Sequence, residues 1–390
     1  METLGTVILT MLSYIRPVGE SISTNQGKPI DAYPGYDTQF YGSGTMALQQ
    51  ALNLAKAKSG SAQAEVLLPA YACPDLISAC VGADVKAVLM DNAAPNSPFP
   101  SIETIKQLTN ENTAAVILVN FLGISPSSQL FNDIKELKLL IIEDRAQSFI
   151  PPEETSLLIG DYIVFSFGKG KPVSLLGGGA LLIKDQNTPN SIGDHQEQAN
   201  AKLPWLIRLY NLIIQPFFYY FLMKTPGLSI GETHYHVPEK ITLMDNARLA
   251  LLDSNIDKQY RSRQPFAQEQ LYTICASPKN IQALSSELPQ LLLRFPILCN
   301  NQLTRDQILS QLNQQGIGAS KMYKTTLPNI EGTPLSEAQK QNPYPCAQSF
   351  ADRLLTLPCH SDVGVSSLSK IADILSAHAL PAETNKQEIH

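Results

Sequence analysis

Two lysines stand two positions apart in FSFGKGKPVSLLGGG, Phe165 to Gly179, between an aromatic run and three consecutive glycines. A lysine in a glycine-lined loop beside a buried sheet is partly desolvated. Desolvation lowers an ammonium's pKa and makes the amine a better nucleophile toward an aldehyde. The plainer reading of Lys169 or Lys171 is a solvated loop residue. The stretch is not a P-loop, because Pro172 follows Gly170-Lys171 where Ser or Thr is needed, nor a dinucleotide fingerprint, because Val173 stands at the third glycine position. Upstream, Asp144 ends the apolar run LLIIED, and Gln147 follows three residues later. A carboxylate at the end of a buried strand is poorly solvated and wants a cationic partner; its plainer role is to cap a helix. Farther upstream, Gly42, Ser43, Gly44 and Thr45 precede the helical pattern TMALQQALNLAKAK. A helix N-terminus offers free N–H groups and a positive dipole end, and small residues there let an anion come close. An ordinary capped turn is the alternative.

The combination says more than its parts. An anion cradle comes first, then an acid at a strand end, then a lysine 27 residues after it. These match the three handles of pyridoxal phosphate: phosphate, ring nitrogen and aldehyde. The carboxylate would keep the pyridine nitrogen protonated, and the lysine would bind the aldehyde and later shuttle a proton.

The elements that must position these groups are legible in outline. From about residue 40 to 185, apolar runs at 66–71, 85–91, 114–120, 138–144, 162–167 and 179–185 alternate with helical patterns. Continuous Val/Ile/Leu runs suit strands covered on both faces, and strand–helix alternation implies a mainly parallel sheet in an α/β domain. Ligands collect beyond the carboxyl ends of such strands. A second region begins near Lys240. It reads as a connecting helix or two, a strand at LLLRFPILC (291–299), a helix with Thr304 and Gln307 as a capping box and Gly316 as its stop, and a closing helix at SLSKIADILSAHAL (367–380). This predicts a large domain over 1–240, a connector over 241–285 and a small α/β domain over 286–390. The tail after Pro381 reads as frayed.

Composition narrows the function classes. With 390 residues, 44% of them hydrophobic, and a net charge of −6, the chain reads as a globular protein with no basic stripe for nucleic acid. Six cysteines without CxxC or framework spacing read as reduced, cytosolic thiols. No metal-site spacing is present. The N-terminal apolar run lacks the marks of a signal peptide. The greasiest segment, 203–224, holds fifteen uncharged residues between Arg208 and Lys224, interrupted by Pro216. That is short of a spanning helix and reads as a buried or interface-forming helix pair, or as an interfacial helix touching a membrane.

On these motifs the sequence resembles the DegT/StrS family of pyridoxal-phosphate sugar aminotransferases, within fold type I, over roughly residues 40–375. GSGTMAL resembles the family's phosphate-side turn, LLPAYACPDLISACVGADVKAVLMD its second strand–helix–strand unit, IIEDRAQSF its Asp-x-x-Gln motif, and FSFGKGKPVSLLGGGALLIKD its Ser-Phe-x-x-x-Lys motif with following glycines. GIGASKMY and RLLTLPCH also resemble family segments. The resemblance implies a large domain with a mainly parallel sheet of the seven-stranded type covered by helices, a smaller C-terminal α/β domain, and a homodimer with the active site at its interface. It places the reactive lysine five residues after Ser166, at Lys171 rather than Lys169. It assigns Ser166 to the cofactor phosphate with Ser43, Gly44 and Thr45, Asp144 to the pyridine nitrogen and Gln147 to the ring's 3′-oxygen. The position of the ring-stacking aromatic is Cys73, so the resemblance implies either that Tyr71 stacks instead or that the ring is held less tightly. Arg145 stands where a small residue is common, Asn120 where many members have His, and KITLMDNARLALL lacks the usual asparagine–arginine pairing. The implied reaction is transamination from an amino donor, expected to be glutamate, to a nucleotide-linked keto-sugar. The expected setting is the cytoplasm, with 203–224 facing the acceptor's entrance, the partner subunit or a membrane. The rival is a non-catalytic scaffold in a sugar-polymer assembly complex. A third reading, dehydration at a sugar carbon, is disfavoured because the dehydratase relatives replace the lysine with histidine.

Overall fold

The computed structural model describes residues 13–184, 202–225, 233–276, 281–284 and 291–378. The N-terminal apolar run up to residue 12 and the tail after Pro381 lie outside the described residues. In chain order the elements are β1 (Asp37–Tyr41), α1 (Gly44–Ser59), β2 (Glu65–Pro69), α2 (Asp75–Gly82), β3 (Lys86–Met90), α3 (Ile102–Leu108), β4 (Thr113–Val119), α4 (Ser128–Glu136), β5 (Leu140–Asp144), β6 (Tyr162–Ser166) and β7 (Gly179–Ile183). There follow α5 (Leu203–Ile213), α6 (Pro216–Lys224), α7 (Asn246–Ile256), α8 (Phe266–Cys275), β8 (Ile281–Ala283), β9 (Phe295–Cys299), α9 (Gln302–Gln314), α10 (Glu337–Gln341), α11 (Pro345–Arg353), β10 (Leu354–Leu357) and α12 (Val365–Ala377).

Seven strands form one sheet in the order β1-β7-β6-β5-β4-β2-β3. Strands β2 to β6 run parallel, and β7 is antiparallel to both of its neighbours, β6 and β1. The strands were readable because they are apolar on both sides: β2 and β7 are buried throughout. One face packs on α1 and α2, through Ile142, Tyr162, Val164 and Leu181 of the sheet and Leu48, Ala51, Leu52 and Ala55 of α1. Beyond β4 and β5, the other face carries α3 and α4, with Phe131 and Ile134 over Val116, Leu118 and Ile141. Beyond β6 and β7 it carries α5 and α7, with Ile207 and Leu252 over Ile163, Phe165 and Leu182.

The second sheet is β10-β9-β8, antiparallel, covered by α8, α9 and α12 through Leu271, Ile308, Leu312 and Ile371. Two expectations need correction here. The strand read over 291–299 begins only at Phe295, because Leu293 instead gives its backbone N–H to Leu122 O (3.0 Å) in the first unit. The capping box at Thr304 is displaced: Asn301 is the N-cap, and its side chain accepts from Thr304 N–H at 2.9 Å. Asparagine caps at least as well as threonine, and it lies one turn earlier. The extended stretch at Ile15 joins the second unit, exchanging backbone bonds with Gly316 and Gly318 at 2.7 Å each.

Candidate active site

Strand direction gathers the chemistry on one edge. The carboxyl ends of β1, β2, β4, β5 and β6 all point the same way, so Gly42–Thr45, Tyr71–Cys73, Asn120–Leu122, Asp144–Gln147 and Ser166–Lys171 converge there.

The cradle comes from α1 meeting β6. Ser43 is the N-cap and spends its hydroxyl on Met46 N–H (3.1 Å). Gly44 and Thr45, the first residues of the helix, have N–H groups without intrahelical acceptors. A Cβ at Gly44 would lie 2.5 Å from Ser166 Cβ and 2.8 Å from its Oγ, so only glycine lets the helix end come this close to the serine. Gly179 opens β7 opposite both Tyr41 and Ser166, and a Cβ on it would lie 2.6 Å from the backbone of Ser43 and Gly44. Two glycines thus bring a helix N-terminus and a serine hydroxyl together, the geometry of a phosphate cradle.

Asp144 closes β5 and is 5% exposed. Its Oδ1 accepts one hydrogen bond, from Ala146 N–H at 2.9 Å, and among the described residues no cation lies in ion-pair contact with it. Burial holds the carboxyl above its ordinary pKa; the Ala146 N–H and then the charge of Lys171 oppose this. Such a carboxylate still has lone pairs for an N–H donor, which a protonated ring nitrogen would supply.

The two lysines separate cleanly. Lys169 is exposed, whereas Lys171 is half-buried in a tight turn closed by its N–H to Gly168 O (3.3 Å). The charge of Lys171 acts on both Asp144 and Cys73. Burial, with Asp75 adding to it, pushes the Cys73 thiol up to about 12, so it faces the site as a neutral, soft surface.

Gln147 bridges two segments. Its Oε1 accepts from Leu122 N–H (2.9 Å), and its Nε2 donates to Tyr323 Oη (2.6 Å), leaving one amide hydrogen for a ligand oxygen. Tyr323 comes from the second unit. Burial, reinforced by Cys73, Asp144 and Tyr71, holds its hydroxyl neutral. It lies in the quoted GIGASKMY segment, but nothing in residue type marks it out. Tyr71 supports it: Tyr71 Oη donates to Lys321 O or Tyr323 O (3.0 and 3.2 Å) and accepts from Tyr323 N–H (3.2 Å), and the two rings meet edge to face. Asn120 is fully buried, donating to Glu143 Oε1 at 3.2 Å.

Arg145 points away from this edge. Its Nε donates to Glu143 Oε1 at 2.6 Å; the arginine is 2% exposed and the glutamate fully buried. Glu143 lies on the opposite face of β5 from Asp144, and Arg145 completes an ion pair there.

Helices α5 and α6 meet at 85° and expose Trp205, Leu212, Phe217, Phe218 and Phe221, while Leu203, Ile207 and Tyr210 are buried. No single described helix is long and apolar enough to cross a membrane. Among the described residues no cluster of ligating side chains could hold a metal.

The fold is shared with several solved structures. Helicobacter pylori PseC, an aminotransferase of pseudoaminic acid biosynthesis, is 18% identical with a TM-score of 0.63, covering 88% of this chain and 86% of its own. The putative sugar aminotransferase Spr1654 of Streptococcus pneumoniae, in its PLP form, is 16% identical with a TM-score of 0.66, covering 97% and 96%. DesV of S. venezuelae is 18% identical with a TM-score of 0.63, covering 89% and 85%. No curated protein matches by sequence. The sequence profile of the DegT/DnrJ/EryC1/StrS aminotransferases, however, matches residues 40–376, a span that holds the cradle, Asp144 and Lys171. The chain therefore belongs to the DegT/DnrJ/EryC1/StrS aminotransferase family, fold type I enzymes that depend on pyridoxal phosphate.

Proposed function

We propose that this aminotransferase moves an amino group from glutamate to a nucleotide-linked keto-sugar, in the making of a polysaccharide or glycoconjugate. The observation that carries the catalytic part is the buried, singly hydrogen-bonded Asp144 within electrostatic reach of Lys171, beside a glycine-built anion cradle. The sugar class rests on family membership and on the sugar aminotransferases that share the fold.

In this reading the N–H groups of Gly44 and Thr45 and the hydroxyl of Ser166 hold the cofactor phosphate, with Ser43 fixing the helix end that presents them. Asp144 would accept a hydrogen bond from the protonated ring nitrogen, Gln147 would donate its free amide hydrogen to the ring's 3′-oxygen, and Cys73 would pack on the ring. Tyr71 holds Tyr323 and so steadies Gln147. When bound, pyridoxal phosphate supplies an electron sink that stabilises negative charge at the donor's Cα. Lys171 Nζ would hold the aldehyde and, as a free amine, would carry the proton removed from the donor's Cα. Asp144, kept ionised by the partner N–H, makes that sink effective.

The division into a large domain over 1–240, a connector over 241–285 and a small domain over 286–390 belongs to the same reading, as does a homodimer in the cytoplasm. The exposed apolar face of α5 and α6 has no acidic residue in either helix, which suits peripheral contact with an anionic membrane surface. Absence of cosedimentation with anionic vesicles would remove that part alone.

The test is spectroscopic. Purified protein given pyridoxal phosphate should acquire the absorption band of lysine-bound cofactor, and glutamate should convert it to the amine form; candidate keto-sugars are then screened for the one that restores the band. A protein that stays colourless supports the scaffold reading instead.

A further inference from the structure

Two neighbouring donors in the cleft carry protons that nothing in the protein accepts. The orientation of the Gln147 amide is fixed by its partners. Its Oε1 takes the Leu122 N–H (2.9 Å), so the group facing Tyr323 is Nε2, which donates to Tyr323 Oη at 2.6 Å. Tyr323 is therefore the acceptor in that bond, and its own O–H is left over. Its remaining bonds belong to its main chain: the N–H donates to Tyr71 Oη, and the C=O accepts from it (3.2 Å each). Among the described residues no oxygen, nitrogen or sulfur takes the hydroxyl proton of Tyr323, which is 4% exposed. Burial, with Cys73, Asp144 and Tyr71 adding to it, holds the hydroxyl protonated, so the proton is there to be given. A buried donor without an acceptor is costly, and a ligand oxygen placed against it removes the cost.

The hydroxyl is part of the cleft wall. The groups that act on it include Cys73 and Asp144, and both of these feel the charge of Lys171. Cys73 and Lys171 remain partly exposed, so the cleft opens beside it. The main chain fixes the ring there. Met322 turns the chain with a φ of 62°, uncommon for a residue with a side chain, and Tyr71 Oη bonds on both sides of it, to Lys321 O or Tyr323 O (3.0 and 3.2 Å). We propose that Tyr323 binds the cofactor directly, giving its O–H to the same 3′-oxygen that Gln147 serves. The two unclaimed protons belong to atoms 2.6 Å apart and can meet on one oxygen. An anionic oxygen takes both more strongly than a neutral one. The cofactor ring is thereby held by one donor from each structural unit. The second donor also makes the 3′-oxygen a weaker base toward the proton it shares with Lys171 Nζ, so the lysine-bound cofactor gives up that proton at lower pH.

This inference rests on the cofactor reading, and its test separates the two. The full chain is loaded with pyridoxal phosphate and its visible band is titrated with pH. Affinity is measured for pyridoxal phosphate and for its 3-deoxy analogue, which lacks the oxygen in question. Tyr323→Phe keeps the ring and removes the hydroxyl. In this variant the band should titrate about one pH unit higher. Pyridoxal phosphate should bind roughly tenfold more weakly, whereas the deoxy analogue should bind both proteins alike. In a Gln147→Ala background the same substitution should still raise the titration, because the hydroxyl acts on the oxygen itself. Tyr323→3-fluorotyrosine, a stronger donor of nearly the same shape, should lower the titration; it decides the matter should the phenylalanine variant fail to fold. A folded variant that titrates as wild type does, equal weakening of both ligands, or a shift that vanishes without Gln147 would each overturn the proposal. Failure of the cofactor reading would appear separately, as a wild type that acquires no lysine-bound band.

Discussion

At the scale of single residues, the unusual Arg145 beside the key carboxylate is explained by the two-residue period of β5. Asp144 faces the cleft, while Glu143 and Arg145 meet on the far side, where Ile159 and Gly160 N–H groups also bind Glu143 (3.1 and 3.0 Å). A buried pair of this kind is costly to break because the surviving charge is stranded. Arg145→Ala should lower unfolding stability by about 3 kcal/mol in urea titration, yet leave cofactor affinity of the folded protein unchanged. A large loss of cofactor affinity without loss of stability would mean that Arg145 acts in the site. Asp144 stood out in the sequence because it ends an apolar run that had to be a strand, whereas Ser166, and Lys171 over Lys169, were singled out only through the family resemblance. Tyr323 was not legible: its role depends on where the second unit sits against the first.

At the scale of elements, the cradle exists because α1 starts against the end of β6. Gly44→Ala would put a methyl 2.5 Å from Ser166 Cβ, and Ser166 is held in register opposite Gly179 of β7. The variant should lose about 1–3 kcal/mol of stability and bind pyridoxal phosphate markedly more weakly, as measured by spectrophotometric titration. Unchanged affinity would show that the phosphate is held elsewhere. The long parallel strands were readable from sequence to within a few residues, since burial on both faces removes polar interruptions. Strands β1, β8 and β10 were not, because short antiparallel strands carry mixed residues: β1 reads DTQFY and β8 is three residues long. The start of α9 was misplaced for a local reason, the competition between Asn301 and Thr304 for one cap.

At the scale of the whole molecule, the chain's beginning is tied to its end. His360 Nε2 meets Arg16 O at 2.9 Å, and Asp362 N–H donates to His360 Nδ1 at 3.3 Å, so the ring is neutral and fills both roles. Burial, with the charge of Arg16 adding to it, depresses its pKa to about 4. Between about 6.5 and 4 the unfolded chain binds a proton that the native protein refuses. The contribution is therefore complete above the unfolded pKa and is lost as pH falls toward 4, by on the order of 3 kcal/mol at most. Thermal unfolding from pH 7 to 4.5 should show this decline, and His360→Gln, which cannot titrate, should flatten it. An equal slope in both proteins would assign the acid sensitivity to other groups. The same tie explains why the domain arrangement was only partly legible: Ile15 precedes the first sheet in sequence but packs with the second.

The proposed chemistry depends on which amine carries the cofactor. The direct measurement is borohydride reduction of the protein loaded with pyridoxal phosphate, followed by proteolysis and mass mapping of the modified peptide. One stable adduct is expected, on Lys171, and it should be lost in Asp144→Ala at cofactor concentrations that saturate wild type. An adduct on Lys169, or none on Lys171, would contradict it.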